Sequence, residues 1–183
     1  MRVLAVSGYK HYELGIFNET HKGIHYIKKA IEQRLRQWLE EGLEWVVITG
    51  QTGVELWCSE VVFDLQEEFS TLKLSVLQPF LNQEERYNEA QKIKYEEMLL
   101  LADHVDAITK RPYESPAQLR VKNDFLVKHT DALLLLYDEE KIGTPKYLLQ
   151  SAKRKENYPI YFITPYDLEW IVEEERWMNQ GEW

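Results

Sequence analysis

Ile48-Thr49-Gly50-Gln51-Thr52-Gly53-Val54-Glu55-Leu56-Trp57 carries a strand into a helix through a loop with a glycine at each end. Upstream, Leu43-Glu44-Trp45-Val46-Val47-Ile48-Thr49 is a β-branched apolar run of strand length. Downstream, Val54, Cys58, Val61, Val62, Leu65 and Phe69 recur at helical spacing and predict an amphipathic helix with one buried stripe. Gly50 and Gly53 let the backbone turn sharply and come close to a ligand, while the new helix presents unpaired N–H groups to an anion. Glu55 admits two readings. In one, Thr52-x-x-Glu55 is a capping box, with Thr52 capping the helix and Glu55 reaching back to the Thr52 N–H. In the other, Glu55 accepts hydrogen bonds from ribose hydroxyls or a base edge, and the amides of the Gln51–Gly53 loop take the phosphates.

The length, 183 residues, fits one domain. A net charge of -9 and a pI near 5.1 exclude a general nucleic-acid or acidic-membrane binder, though not a local basic pocket. Cys58 is the single cysteine and lies on the apolar stripe, so it reads as a small buried hydrophobe with neither disulfide partner nor metal spacing. With no apolar run approaching about 18 residues, membrane insertion is not expected and a cytoplasmic location is.

Along the chain, Val3-Leu4-Ala5-Val6-Ser7 predicts the first strand, followed by Gly8-Tyr9-Lys10 at its carboxyl end, where ligands bind in open α/β sheets. An ordinary exposed loop is the competing reading. The next glycine is Gly15, so the G-x-G-x-x-G spacing is absent. A helix spans His25 to Glu41, strands come next at Leu72–Leu77 and His104–Thr109, and Asn82–Tyr87 reads as a polar loop before a helix over Asn88–Ala102. Lys110-Arg111-Pro112-Tyr113-Glu114-Ser115-Pro116 is irregular, with Ser115 as N-cap of a helix running to about Lys128. On that helix Asn123 faces the sheet, where its amide either bonds nearby backbone or holds the floor of a pocket.

Asp131-Ala132-Leu133-Leu134-Leu135-Leu136-Tyr137 predicts a central parallel strand covered on both faces, with Asp138 just past its carboxyl end. Gly143-Thr144-Pro145-Lys146 then opens a helix with Thr144 as N-cap, no acid in its first turn and a cation added by Lys146. This end is a second phosphate candidate beside the reading of a well-capped surface helix. A sixth strand at Tyr158–Ile163 and a last helix from about 165 complete the chain, with Trp170 and Trp177 on one helical face expected to pack on the domain. The fold expected for 1–183 is a single-domain Rossmann-like, doubly wound α/β sheet, mainly parallel, of about six strands with helices on both faces.

There is no P-loop, H-E-x-x-H, C-x-x-C or G-x-S-x-G. None of His11, His21, His25, His104 and His129 reads as a catalytic base, which leaves Glu55 and Asp138 as the acid/base candidates.

Gly8-Tyr9-Lys10, Glu13-Leu14-Gly15-Ile16-Phe17, Gly50-Gln51-Thr52-Gly53-Val54-Glu55-Leu56-Trp57, Arg111-Pro112-Tyr113-Glu114-Ser115-Pro116 and Leu135-Leu136-Tyr137-Asp138 together resemble the YpsA family of Gram-positive bacteria over nearly the whole chain. That family is assigned to the SLOG superfamily, with the DNA-processing protein DprA and the Lonely Guy phosphoribohydrolases. The resemblance implies a Rossmann-like domain with a nucleotide-derivative pocket, in which Gly50, Gly53 and Glu55 match the ligand motif. Lys122-Asn123 is similar to an Arg-Asn pair of DprA, with lysine for arginine. Where the Lonely Guy enzymes carry Gly-Thr-x-x-Glu, this chain has Gly143-Thr144-Pro145-Lys146-Tyr147. Tyrosine replaces the catalytic glutamate, which implies binding without turnover.

Residues and resemblance together lead to a sensor of a nucleoside phosphate or an ADP-ribose/NAD-like molecule that requires no cofactor and holds no metal. Its ligand candidates are Gly8, Tyr9 and Lys10, then Gly50, Gln51, Thr52, Gly53 and Glu55 of the glycine loop, then Arg111, Asn123, Asp138, Gly143, Thr144 and Lys146. The resemblance associates the family with cell division and envelope growth, hence with a protein partner; a homo-oligomer is left open. A hydrolase of nucleotide N-glycosidic or phosphate bonds and an interaction scaffold with a vestigial pocket are the alternatives.

Overall fold

The computed structural model describes residues 1–181. The apolar runs become strands β1 (Val3–Gly8), β2 (Trp45–Ile48), β3 (Lys73–Gln78), β4 (His104–Ala107), β5 (Ala132–Leu136) and β6 (Ile160–Ile163). The periodic stretches become helices α1 (Lys22–Glu40), α2 (Val54–Leu65), α3 (Glu89–Leu101), α4 (Ala117–His129), α5 (Pro145–Arg154) and α6 (Pro165–Gln180). All strands join one sheet in the order β4-β3-β2-β1-β5-β6, and every pairing is parallel, including the outermost ones. The fold is Rossmann-like α/β.

Parallel neighbours need crossover helices, and right-handed crossovers sort them by direction of travel across the sheet. Chain progress from β1 out to β4 puts α1, α2 and α3 on one face, where α2 packs between α1 and α3; α4 and α5, on the return and beyond, pack together on the other. The last helix, α6, rests on α1. Leu133, Leu134 and Leu135 are completely buried, as a strand covered on both faces requires. The edge strand β4 is mostly exposed.

Several local expectations change. The Asn82–Tyr87 stretch is a 3-10 turn at Gln83–Arg86, and a second such turn spans His11–Leu14. Helix α1 starts three residues before His25, because His21 accepts the Gly23 N–H at 2.9 Å on its Nδ1 and caps the end. Ser115 does not cap α4; Gln118 Oε1 accepts the N–H groups of Glu114 and Ser115 instead.

Candidate functional site

The β2–α2 loop has a different internal logic from a capping box. Glu55 is 1 % exposed and turns inward. Its Oε1 accepts the Thr49 N–H at 2.6 Å and the Thr49 hydroxyl at 2.8 Å, and its Oε2 accepts the Ser7 hydroxyl at 2.7 Å. A buried carboxylate needs donors, and these are charge-assisted bonds that tie β1 and β2 to α2. The capping expectation fails for that reason: Gly53 occupies the N-cap position with no side-chain bond, and Thr52 Oγ1 faces His11 Nδ1 instead.

Gly53, at φ +86°, is required by a close approach to protein backbone. A Cβ there would stand 2.5 Å from the Tyr9 carbonyl oxygen and 2.6 Å from the His11 nitrogen. The Val54 N–H donates to that same Tyr9 carbonyl at 3.2 Å, so part of the α2 amino end is already satisfied. Gly50, at φ +85°, lies under Tyr95 and Gln83.

In this strand order the topological switch point falls between β1 and β5, the usual ligand crevice of such sheets. Here protein fills it. Tyr9 is buried, its hydroxyl lying 3.0 Å and 2.6 Å from the carbonyl oxygens of Asp138 and Lys141, which removes the exposed-loop reading. The Glu13 carboxylate accepts the N–H groups of Lys10 and Thr144 and the Thr144 hydroxyl at 2.7–2.9 Å. Thus the α5 amino end, acid-free in its own first turn, receives an acid from 131 residues away. Thr144 makes no side-chain cap, and a phosphate there would meet the Glu13 charge. Asp138 turns its Oδ1 to the Glu140 N–H and closes its own turn.

The opening lies to one side, over the carboxyl ends of β1 to β4. It is a chamber of about 550 Å³. Lys10 and Tyr12 come from the loop after β1, Thr49, Gln51 and Thr52 from the glycine loop, Phe80 to Gln83 and Glu85 to Tyr87 from the β3–α3 connection, and Tyr113 and Lys122 from the far side. Phe80 and Tyr113 meet with ring centroids 5.1 Å apart, and the Arg86 guanidinium lies 5.8 Å from the Tyr113 ring. Lys10, Arg86 and Lys122 supply positive charge against a single lining carboxylate, Glu85. Burial lowers the pKa of the Lys122 ammonium, the Glu55 carboxylate opposes that shift and Lys10 adds to it. Gln83 donates to the Thr49 carbonyl at 2.7 Å and Tyr87 to that of Gly50 at 3.1 Å, so the β3–α3 connection braces the glycine loop.

His11 closes one wall. Gln91 Oε1 accepts the Asn88 N–H, which leaves Gln91 Nε2 to donate to His11 Nε2 at 3.1 Å. His11 is therefore neutral with its proton on Nδ1, donated to Thr52 Oγ1 at 2.9 Å. Burial, assisted by Lys10, lowers its pKa.

Of the residues expected at the site, Lys10, Gln51 and Thr52 line the chamber. Gly8, Tyr9, Gly50, Gly53 and Glu55 build its support, while Asp138, Gly143, Thr144 and Lys146 stand outside its lining, over β5. Arg111 is exposed and pairs with Glu114 at 3.6 Å; its neighbours Pro112 and Tyr113 line the chamber in its place. Asn123 is buried with its Oδ1 lacking a hydrogen-bond partner among the described residues. Phe80, Gln83, Arg86 and Tyr87 were not anticipated; aromatics interleaved with arginine and glutamine just past a strand end were the available signal. Trp170 and Trp177, expected to pack on the domain, are 65 % and 76 % exposed. Among the described residues no helix is long and apolar enough to cross a membrane, and no acidic, histidine or cysteine cluster could hold a metal.

Comparison with known proteins agrees with this architecture. A UPF0398 protein of Bacillus cereus strain B4264 is 56% identical over 182 residues, 98% of this chain and 99% of the relative. One from Bacillus thuringiensis strain Al Hakam is 55% identical over the same length and shares. The YpsA family model, described as the YspA SLOG family, matches residues 4–168, and the chain belongs to that family.

Proposed function

We propose that the protein binds a nucleotide derivative, either a nucleoside phosphate or an ADP-ribose/NAD-like molecule, in the chamber over β1 to β4, and acts as a sensor. SLOG domains generally bind nucleotide derivatives. The observation that carries the reading is charge: in a chain of net charge -9, the chamber gathers Lys10, Arg86 and Lys122 around aromatic rings against one carboxylate. Rings accept a base and cations accept phosphate. Binding without turnover is favoured, because Glu55 is spent on three protein donors and Asp138 on its own turn. The exposed stripe of Tyr166, Trp170 and Trp177 along α6 supports a protein partner as the output, in keeping with a part in cell division or envelope growth.

The test is a thermal-shift titration with AMP, ADP-ribose and NAD⁺, repeated on Lys10→Ala and Arg86→Ala. Ligand at about a hundredfold above its Kd adds roughly 2.7 kcal/mol of stability. The expected result is a shift in the wild type that both substitutions diminish. No shift with any of the three compounds would remove the reading, and chromatographic appearance of a cleavage product would move it to the hydrolase.

A further inference from the structure

His11, Thr52 and Gln91 line two chambers, because behind them lies a second of about 310 Å³ between the His11–Ile24 segment, α2 and α3. The contacts across this wall, His11 to Thr52 and His11 to Gln91, are side chain to side chain, so a turn of the imidazole breaks both without moving a strand or helix.

The chambers differ in chemistry. The second has walls of Ile16, Ile24, Leu56 and Trp57, and Phe17, 73 % exposed, stands at its mouth. Its cation is already claimed: Lys94 Nζ lies 3.3 Å from Glu60 and 3.9 Å from Glu19. Glu60 also pairs with Lys28 at 2.8 Å, so the two carboxylates and two lysines balance, no lining cation is left for phosphate, and the apolar walls accept a ring. A volume near 300 Å³ is at the small end of ligand pockets.

We infer that the second chamber is a binding subsite for a heteroaromatic ring, the far end of a two-part ligand whose phosphate-bearing half occupies the first chamber, with His11 as the movable wall between them. This rests on the nucleotide reading above and narrows it from nucleotides in general to those carrying a second ring.

The probes are AMP, ADP-ribose and NAD⁺, which share the adenylate and differ in the groups attached beyond it, with affinities measured by calorimetry. Wild-type protein is expected to bind NAD⁺ about tenfold or more tightly than ADP-ribose, the gain of burying one ring. Phe17→Ala removes an exposed ring and Ala90→Trp, at another exposed position, fills the chamber. Either substitution is expected to bring NAD⁺ down to the ADP-ribose level and leave AMP and ADP-ribose unchanged. Equal wild-type affinities for NAD⁺ and ADP-ribose, or a Phe17→Ala loss shared by all three, would overturn the inference while leaving nucleotide binding intact. Failure of all three to bind would overturn both.

Discussion

Ser7 and Glu55, 48 residues apart, meet at 2.7 Å in the interior, where the hydroxyl of the first strand donates to a carboxylate at the start of the second helix. Thr49 completes the set from the neighbouring strand. Removing the carboxylate strands these donors in a dry place. Glu55→Ala is expected to cost about 2–4 kcal/mol in urea unfolding, more than the roughly 0.5–2 kcal/mol of a lost helix cap. A cost within the cap range would restore the capping box.

Gly53→Ala is expected to damage the fold rather than report on ligand. The new Cβ meets the Tyr9 and His11 main chain at 2.5–2.6 Å, in a conformation that disfavours side chains. Backbone has no rotamer with which to yield. Circular dichroism melts should show a loss of about 3 kcal/mol or more, against about 1 kcal/mol for Gly15→Ala, where φ is +68° but no atom lies within 4 Å.

Acid should weaken the protein through His11. Its pKa is lowered by burial and by Lys10, so between its folded value and about 6.5 the unfolded chain binds the extra proton. Stability from this group is thus complete above about pH 6.5 and declines as pH falls through that window. Urea unfolding from pH 7.5 to 5 should show the decline in wild type and a shallower one in His11→Asn; parallel curves would count against it.

Asp138→Asn should leave AMP affinity within about twofold of wild type, since the side chain closes a turn outside the chamber. Calorimetry decides this, and a tenfold loss would return Asp138 to the site.

Trp170→Ser and Trp177→Ser should each change unfolding free energy by no more than about 0.5 kcal/mol, because both rings project into solvent. Losses of 2 kcal/mol or more, on the scale of a buried ring, would mean that α6 packs them on the domain.

Much of the fold was legible because each strand but the exposed edge strand β4 is a short apolar run with a punctuating glycine, proline or acid, and helices α1 and α2 repeat their apolar residues at a steady interval. The sheet order and the candidate site were less so. The Thr52–Glu55 spacing is right for a capping box, but nothing local reveals that Ser7 and Thr49 compete for the carboxylate and win. The α5 end looked open because its acid, Glu13, belongs to a loop at the other end of the chain. Asn82 to Tyr87 looked like ordinary polar linker, since a chamber wall built from a 3-10 turn carries no periodicity.

The placement of β1 has a consequence for how the chain is made. Of the strands in this sheet it is made first, and it is a central one, with β2 on one side and β5 on the other. The N–H groups of Arg2 and Val3 receive their acceptor from Asp131, and Tyr9 reaches the Asp138 and Lys141 carbonyls. During synthesis at about 5–20 residues per second, that flank stays unpaired for several seconds after β1 emerges. An intermediate of β1 to β4 with α1 to α3 would therefore expose a hydrophobic strand edge until the last third of the chain arrives. For that intermediate the exposed edge lasts through synthesis of residues 108–136, so the length of this stretch, and not the stability of the finished sheet, sets how long the edge is open.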